Sequence, residues 1–392
     1  MGASDEENIL VHRLGRYQVP PEWTPLADEE VAALLASYLP SADSLLSVKI
    51  SWRSPRPHSS AALVETGAGT LFVKRHHQSV RSANDLRVEH AFTAHLNSEG
   101  QQVPRVVAAL DGATTVEQGE YIYEVHELLA GTDLYREAIS WSPFKSPGHA
   151  RSAGSALARF HLAARRFLLP PRLPGVLMNS SALVAASNPT VALRHLMNLR
   201  PELLRAPVAR ALPEDFERYH LDLVNNVSPF LAVLEPQWGH GDWHPSNLAW
   251  SSGDADARVV GLFDLGLANR TFAMHDLALA IERSTIDWLD LAGRGEVSVD
   301  FDALDSLLDG YVEVAPLRAY EEQALIGLLP VVHIEYALSE VEYYSGVVDD
   351  QENAELVYDG YFVWHTKWFR EGAGGALLDH LRARFATSGA TS

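Results

Sequence analysis

The chain has 392 residues, enough for two lobes and a sizeable core, with apolar and charged fractions of 47% and 21% that are ordinary for a globular protein. It has no cysteine, which excludes disulfides, thiolate metal sites and cysteine nucleophiles, and its formal net charge of −20 disfavours nucleic acid and anionic membrane surfaces as partners. No apolar run approaches the ~18 residues of a membrane span, and Met1–Glu7 lacks the basic end and apolar core of a signal peptide, so a cytoplasmic location is expected.

Residues 1–45 read as an N-terminal extension. A polar segment, expected to be disordered, leads through Pro20-Pro21 to a helix over Glu29–Tyr38, capped by Asp28 and stopped by Pro40. From residue 46 the pattern turns to short β-rich runs. Ser47–Trp52 alternates polar with apolar, Ala61–Val64 follows, and Thr70–Lys74 comes after a Gly67-Ala68-Gly69 turn, which predicts an antiparallel meander ending in Lys74. A helix beginning at Asn84 or Asp85 carries Val88, Phe92 and Leu96 on one stripe. Glu89 within it is the candidate partner for Lys74, with Asp85 as the fallback, since a buried lysine is better held with a carboxylate beside it. Tyr121–His126 is one more strand, and the first lobe closes at residue 127.

The second lobe, residues 128–386, is mostly helical. One helix spans Arg151–Phe167 and ends before Pro170-Pro171, with His161 expected as a satisfied core histidine. Two helical patterns fill 190–234, the second starting near Pro213-Glu214-Asp215. A further helix spans Thr271–Arg283, the remainder is helical, and residues 387–392 form a frayed tail.

Between these helices lies the stretch that carries chemistry. His240-Gly241-Asp242-Trp243-His244-Pro245-Ser246-Asn247 is followed by an apolar run ending in Phe263-Asp264-Leu265-Gly266. Metal-assisted phosphoryl transfer asks for one carboxylate near the attacking hydroxyl, and for an amide oxygen and a second carboxylate to hold magnesium against nucleotide phosphates. Asp242, Asn247 and Asp264 can fill those positions.

This ordered pair of motifs resembles the aminoglycoside phosphotransferase and choline kinase-like family, over roughly residues 45–370. The resemblance implies an α+β, protein-kinase-like two-lobed fold, with an antiparallel sheet and helix in the N-lobe and a mostly helical C-lobe. It also implies Asp242 as catalytic base, Asn247 and Asp264 as Mg2+ ligands, and ATP or GTP as donor. Lys74 takes the position from which the family's lysine reaches the α- and β-phosphates, and the backbone around Glu127 and Leu129 resembles the hinge that binds the purine edge. In the family, an aspartate at the position of Asp276 braces the catalytic loop; capping its own helix is the alternative. One departure is that the loop over residues 53–60 contains no glycine, so serine hydroxyls, backbone N–H groups or arginine would replace the usual phosphate flap.

The expected activity is transfer of a γ-phosphoryl group to a hydroxyl of a small molecule. Two readings stand against it: a hydrolase metal site on the alternating His240, Asp242 and His244, and a catalytically silent nucleotide-binding module. Residues 333–368 combine Glu335, Glu340 and Glu342 with Tyr343 and other aromatic residues, a composition suited to an amine-bearing acceptor; the bland alternative is a core of aromatics with a solvated acidic face. Aminoglycosides, amino alcohols, homoserine-like amino acids and sugars all remain open as acceptors, and the oligomeric state is not legible.

Overall fold

The computed structural model describes residues 10–12, 18–40, 47–173, 175–288 and 297–388; the expected disordered start over residues 1–9 and the tail over 389–392 lie outside them. Two compact units emerge. One runs to Ser98 and resumes over Gln102–Ala130, and the other comprises Glu99–Gln101 and the chain from Gly131 onward.

In the first unit β1 (Val11–His12) pairs with β2 (Gln18–Val19), a short hairpin not anticipated from the sequence. The helix α1 (Asp28–Leu35) is shorter than expected, and Asp28 does not cap it. Ala27 holds the cap position, while the Asp28 carboxylate accepts from Ile50 N at 3.0 Å and so ties the helix to the sheet. That sheet is antiparallel, in the order β3 (Lys49–Arg53), β4 (Ser60–Thr66), β5 (Gly69–His77), β7 (Tyr121–Glu127), β6 (Val116–Gln118), with the meander as expected and β6 added at its edge. Leu26, Val31, Leu34, Leu35 and Tyr38 from the α1 region pack with Ile50, Ala62, Val64, Val73, Tyr123 and Val125 from the sheet. The helix α2 (Ala83–Ser98) lies between β5 and β6 in the chain. It is started by Ser82 and Asp85, which exchange hydrogen bonds with each other's backbone N–H groups at 3.1 Å, so the fallback residue Asp85 is spent on this cap.

The second unit begins its helices with α3 (Pro147–Ala164). It starts four residues earlier than expected because Ser146 caps it and Pro147 fits the first turn. Residues 189–231 hold four α-helices and a 3-10 turn over Pro207–Ala211 where two helices were expected: α4 (Pro189–Leu199), α5 (Pro201–Arg205), α6 (Leu212–Tyr219) and α7 (Leu221–Leu231). Pro201 and Pro207 cannot donate inside a continuing helix and break the pattern. Two antiparallel pairs frame the motif region, β8 (Gln237–Gly239) with β11 (Asn269–Thr271) and β9 (Leu248–Trp250) with β10 (Val259–Leu262). After α8 (Ala273–Thr285) come α9 (Phe301–Val314), α10 (Ala319–Leu328), α11 (Ile334–Glu342), α12 (Gln351–Leu356), α13 (His365–Trp368) and α14 (Gly372–Ser388). The last takes in Thr387, which the sequence assigned to the tail. Helices α3 and α9 cross at backbone contact: a Cβ on Gly154 would collide with Leu307 O, and one on Gly310 with Arg151 O. No helix among the described residues is long and apolar enough to cross a membrane.

Candidate active site

The loop after β8 is pinned before it is functional. Asp276, four residues into α8, does not cap that helix; its Oδ2 accepts from His240 N at 2.7 Å and its Oδ1 from Gly241 N at 2.8 Å. His161 on α3 donates to the same carboxylate at 3.1 Å and meets the Tyr311 hydroxyl of α9 through its other nitrogen at 2.8 Å. Burial would raise the Asp276 carboxyl, but these donors hold it below the usual range. Gly241 has φ +77°, and a Cβ there would collide with Leu267 O, so this turn requires glycine.

His240 ties the two motifs together. Its Nδ1 accepts from Asp242 N at 3.2 Å and its Nε2 meets Phe263 O at 3.1 Å, one residue before Asp264. Burial lowers its pKa and keeps the ring neutral, consistent with one nitrogen accepting and the other donating. With both nitrogens committed, His240 is not a metal ligand. The His240–Asp242–His244 metal reading therefore does not hold, and no such cluster forms there among the described residues.

Asp242 itself is 18% exposed. Arg283, at the end of α8, donates to its Oδ1 at 2.5 Å and to Gly241 O at 2.9 Å, and Trp141 Nε1 donates to the same oxygen at 3.3 Å. Asn247 Nδ2 reaches Asp242 Oδ2 at 3.1 Å and Asp242 O at 2.9 Å, with His244 Nε2 at 3.3 Å from Oδ2. Burial alone would raise this carboxyl, yet His244 and Arg283 hold it well below the usual carboxylate range. Arg283 is fully buried and lies over the rings of Trp141 (4.7 Å) and Tyr336 (5.0 Å). Tyr361, 5.5 Å from Trp141, completes the aromatic wall and donates to Glu282. The charges of Arg283, Asp242 and Glu282 bear on Glu340, which burial pushes up to about 8.

Asn247 and Asp264 offer oxygen to a hard cation. The Asn247 amide nitrogen is committed to Asp242, which leaves Oδ1 as its ligand atom, and Phe263 N donates to Asn247 O at 3.0 Å, holding the two segments together. Asp264 is exposed and adopts φ +61° at the start of a single 3-10 turn, Leu265–Leu267; such strain in a non-glycine residue gathers at functional positions. A carboxylate and an amide oxygen are the donor chemistry Mg2+ takes, so the residues fit the ion.

The other acids of the last third fall differently. Glu335 is buried and accepts from Leu183 N at 2.7 Å; Glu342 lies 3.4 Å from the buried Arg200; Tyr343 is buried against Tyr344. Of that group, Glu340 alone shares the surroundings of Asp242. In the first unit, register sets Lys74 directly across from Glu124, and Glu89 on α2 is buried, its Oε2 without a hydrogen-bond partner among the described residues. Glu127 N donates to Arg105 O at 2.9 Å, and Leu129 is half-buried just beyond β7.

Sequence reading missed Arg283 and Trp141. A signal for Arg283 existed, because Asp276 and Arg283 are seven apart on one helix and so share a face. For Trp141 there was none, since its approach to Asp242 is set by tertiary packing.

A family model described as "Phosphotransferase enzyme family" matches residues 56–317. A homoserine kinase of Hyphomonas neptunium is 26% identical over 313 residues, covering 78% of this chain and 84% of the relative. Among solved structures, a microcompartment-associated aminopropanol kinase aligns with TM-score 0.54 at 15% identity, covering 88% of this chain and 98% of that one. Choline kinase from Cryptosporidium parvum aligns with TM-score 0.53 at 11% identity, covering 90% and 99%. The fold is thus the protein-kinase-like α+β fold expected. Because the family model spans more than half of its length, this chain belongs to the phosphotransferase enzyme family, whose members phosphorylate small molecules.

Proposed function

We propose that the protein transfers the γ-phosphoryl group of ATP, or GTP, to a hydroxyl of an amine-bearing small molecule. The observation that carries this is one braced loop presenting Asp242 beside Asn247, with His240 linking it to the Asp264 turn. Asp242 orients the acceptor hydroxyl and accepts its proton as the phosphoryl group departs the nucleotide. Arg283 and Trp141 hold one carboxylate oxygen, so the other faces the chemistry with Asn247. Asn247 and Asp264 hold Mg2+, which when bound neutralises phosphate charge in the loose transition state. Lys74 and Glu89 position the α- and β-phosphates. The purine edge is read by the backbone of Glu127 and Leu129; with Glu127 N taken by Arg105, the Glu127 carbonyl and Leu129 N are the groups to use.

An amine on the acceptor is supported by the walls near Asp242. The rings of Trp141, Tyr336 and Tyr361, with Glu282 and Glu340, already accommodate one guanidinium, that of Arg283, and suit an ammonium beside it. Nucleotide binding by calorimetry tests the metal assignment. Asp264→Ala should lose Mg2+-dependent binding, while His244→Ala should keep it, because magnesium takes oxygen ligands and leaves imidazole alone. Retained binding in Asp264→Ala would remove that residue from the site.

A further inference from the structure

We propose that the first unit carries a transition-metal site, zinc by its ligand chemistry, on His90, His126 and Glu124, with His76 orienting the carboxylate. Four side chains from three elements converge there. Glu124 and His126 alternate on one face of β7, His76 comes from the neighbouring strand β5, and His90 from α2. Glu124 Oε2 lies 2.7 Å from His90 Nε2 and 3.0 Å from His126 Nε2, and its Oε1 lies 2.9 Å from His76 Nε2. Glu124 is 1% exposed, and the partners of its carboxylate among the described residues are imidazoles. Buried charges are paired or coordinate metals, and three ring nitrogens converging on one buried carboxylate supply the donor set of a metal site.

One ligand atom each from His90, Glu124 and His126 lies within 4.8 Å of the other two. Zinc bonds of about 2.0–2.1 Å at tetrahedral angles put ligand atoms roughly 3.3 Å apart. The two carboxylate–imidazole spacings, 2.7 and 3.0 Å, widen to that value by a side-chain adjustment of about 0.3–0.6 Å. Two imidazoles and a carboxylate select zinc or its transition-metal neighbours over magnesium and calcium, which prefer oxygen alone. His76 on the second oxygen then fixes the carboxylate, as outer partners of metal ligands do, and water completes the coordination. The ion would clamp α2 to the β5–β7 pair. His90 follows Glu89 in the chain, and Lys74 stands across from Glu124, so the clamp would steady the elements that carry both residues.

The test uses the full-length chain, stripped with a chelator and kept in excess Mg2+ so that oxygen-only sites are filled. Zinc is measured by equilibrium dialysis with elemental analysis, and Co2+ by its visible absorption, whose intensity reports low coordination number. The expected result is one zinc per chain, an intense cobalt band, and a melting temperature that rises with added zinc. His76→Ala should weaken zinc by roughly 10–100-fold, the usual effect of losing an outer partner. His126→Ala, at a half-buried position, should weaken it further and abolish the cobalt band, while Asp264→Ala in the second unit should change neither. Wild-type protein that binds no zinc at micromolar free metal, or shows only a weak octahedral cobalt spectrum, overturns the proposal. So does unchanged zinc affinity in a folded His126→Ala. These readouts on wild type stand even where a variant does not fold, and none depends on the kinase activity.

Discussion

Asp276 and Asp242 serve the same loop from opposite ends of a chemical range. Asp276 has no exposed surface, and its oxygens accept from two backbone N–H groups and His161; it holds the shape of the loop. Asp242 keeps 18% of its side chain exposed and is gripped on one oxygen by Arg283 and Trp141 while the other meets Asn247 and His244. The two carboxylates therefore differ in exposure and in the kind of partner: Asp276 is buried and holds two backbone N–H groups, whereas Asp242 is part-exposed and meets side chains on both oxygens. The acid that shapes the loop and the candidate base are separated here by exposure together with their partners.

The comparison is broken most severely at Asp276. Asp276→Ala leaves the N–H groups of His240 and Gly241 without acceptors, at roughly 1–3 kcal/mol each. Thermal or urea unfolding should show that loss, and Asp276→Asn, which keeps one carbonyl oxygen, should lose less. Equal stability of wild type and Asp276→Ala would mean that the brace contributes nothing.

Arg283→Met sharpens the other half. Arg283 helps to keep the Asp242 carboxyl well below the usual range, so wild-type turnover should stay flat as pH falls toward the ordinary carboxylate pKa. Without the guanidinium, burial raises Asp242 and an acid limb should enter the measured pH profile. Linkage gives the same sign for folding: the depressed Asp242 pKa contributes stability above the unfolded carboxylate pKa and loses it as pH falls toward the folded one. Arg283→Met should flatten that acid-side loss.

Glu340→Gln carries the smallest effect, and its sign is opposite. Burial raises Glu340 to about 8, so wild type loses stability as pH rises from the unfolded carboxylate pKa through about 8. The amide variant should lack that slope. If an ammonium of the acceptor sits beside Glu340, acceptor KM should fall over the same window in wild type and stay level in Glu340→Gln.

Much of this was legible in the sequence wherever chemistry or a short period dictates residue type. The strand β3 announces itself by alternation, β4, β5 and β7 by short β-rich runs, and the motif residues by the fixed spacing of carboxylate, amide and carboxylate. For Asp276 the family resemblance implied the brace and left helix capping open; the hydrogen bonds to His240 N and Gly241 N decide between them. What was not legible depends on convergence across the chain. Arg283 and Trp141 meet at Asp242 from distant segments, and Glu335 and Glu342 look like acids available to a ligand until burial shows them committed to Leu183 N and Arg200. Helix ends misread as they did because competing local caps decide them: Ser146 with Pro147 for α3, Ser82 with Asp85 for α2, and Ala27 in place of Asp28 for α1.

Asp242 is proposed to serve phosphoryl transfer from a magnesium nucleotide to a hydroxyl. This role is tested most directly by 31P NMR of wild type and Asp242→Asn with Mg2+, ATP or GTP, and a panel of hydroxyl-bearing amines and amino acids. A new phosphomonoester resonance is expected, appearing with nucleoside diphosphate in equal amount and dependent on the acceptor. Turnover in the nearly isosteric Asp242→Asn should be lower by ~10²–10⁴, with an unchanged melting temperature. Phosphomonoester formed by Asp242→Asn at the wild-type rate, or inorganic phosphate as the product whatever acceptor is present, would contradict that role.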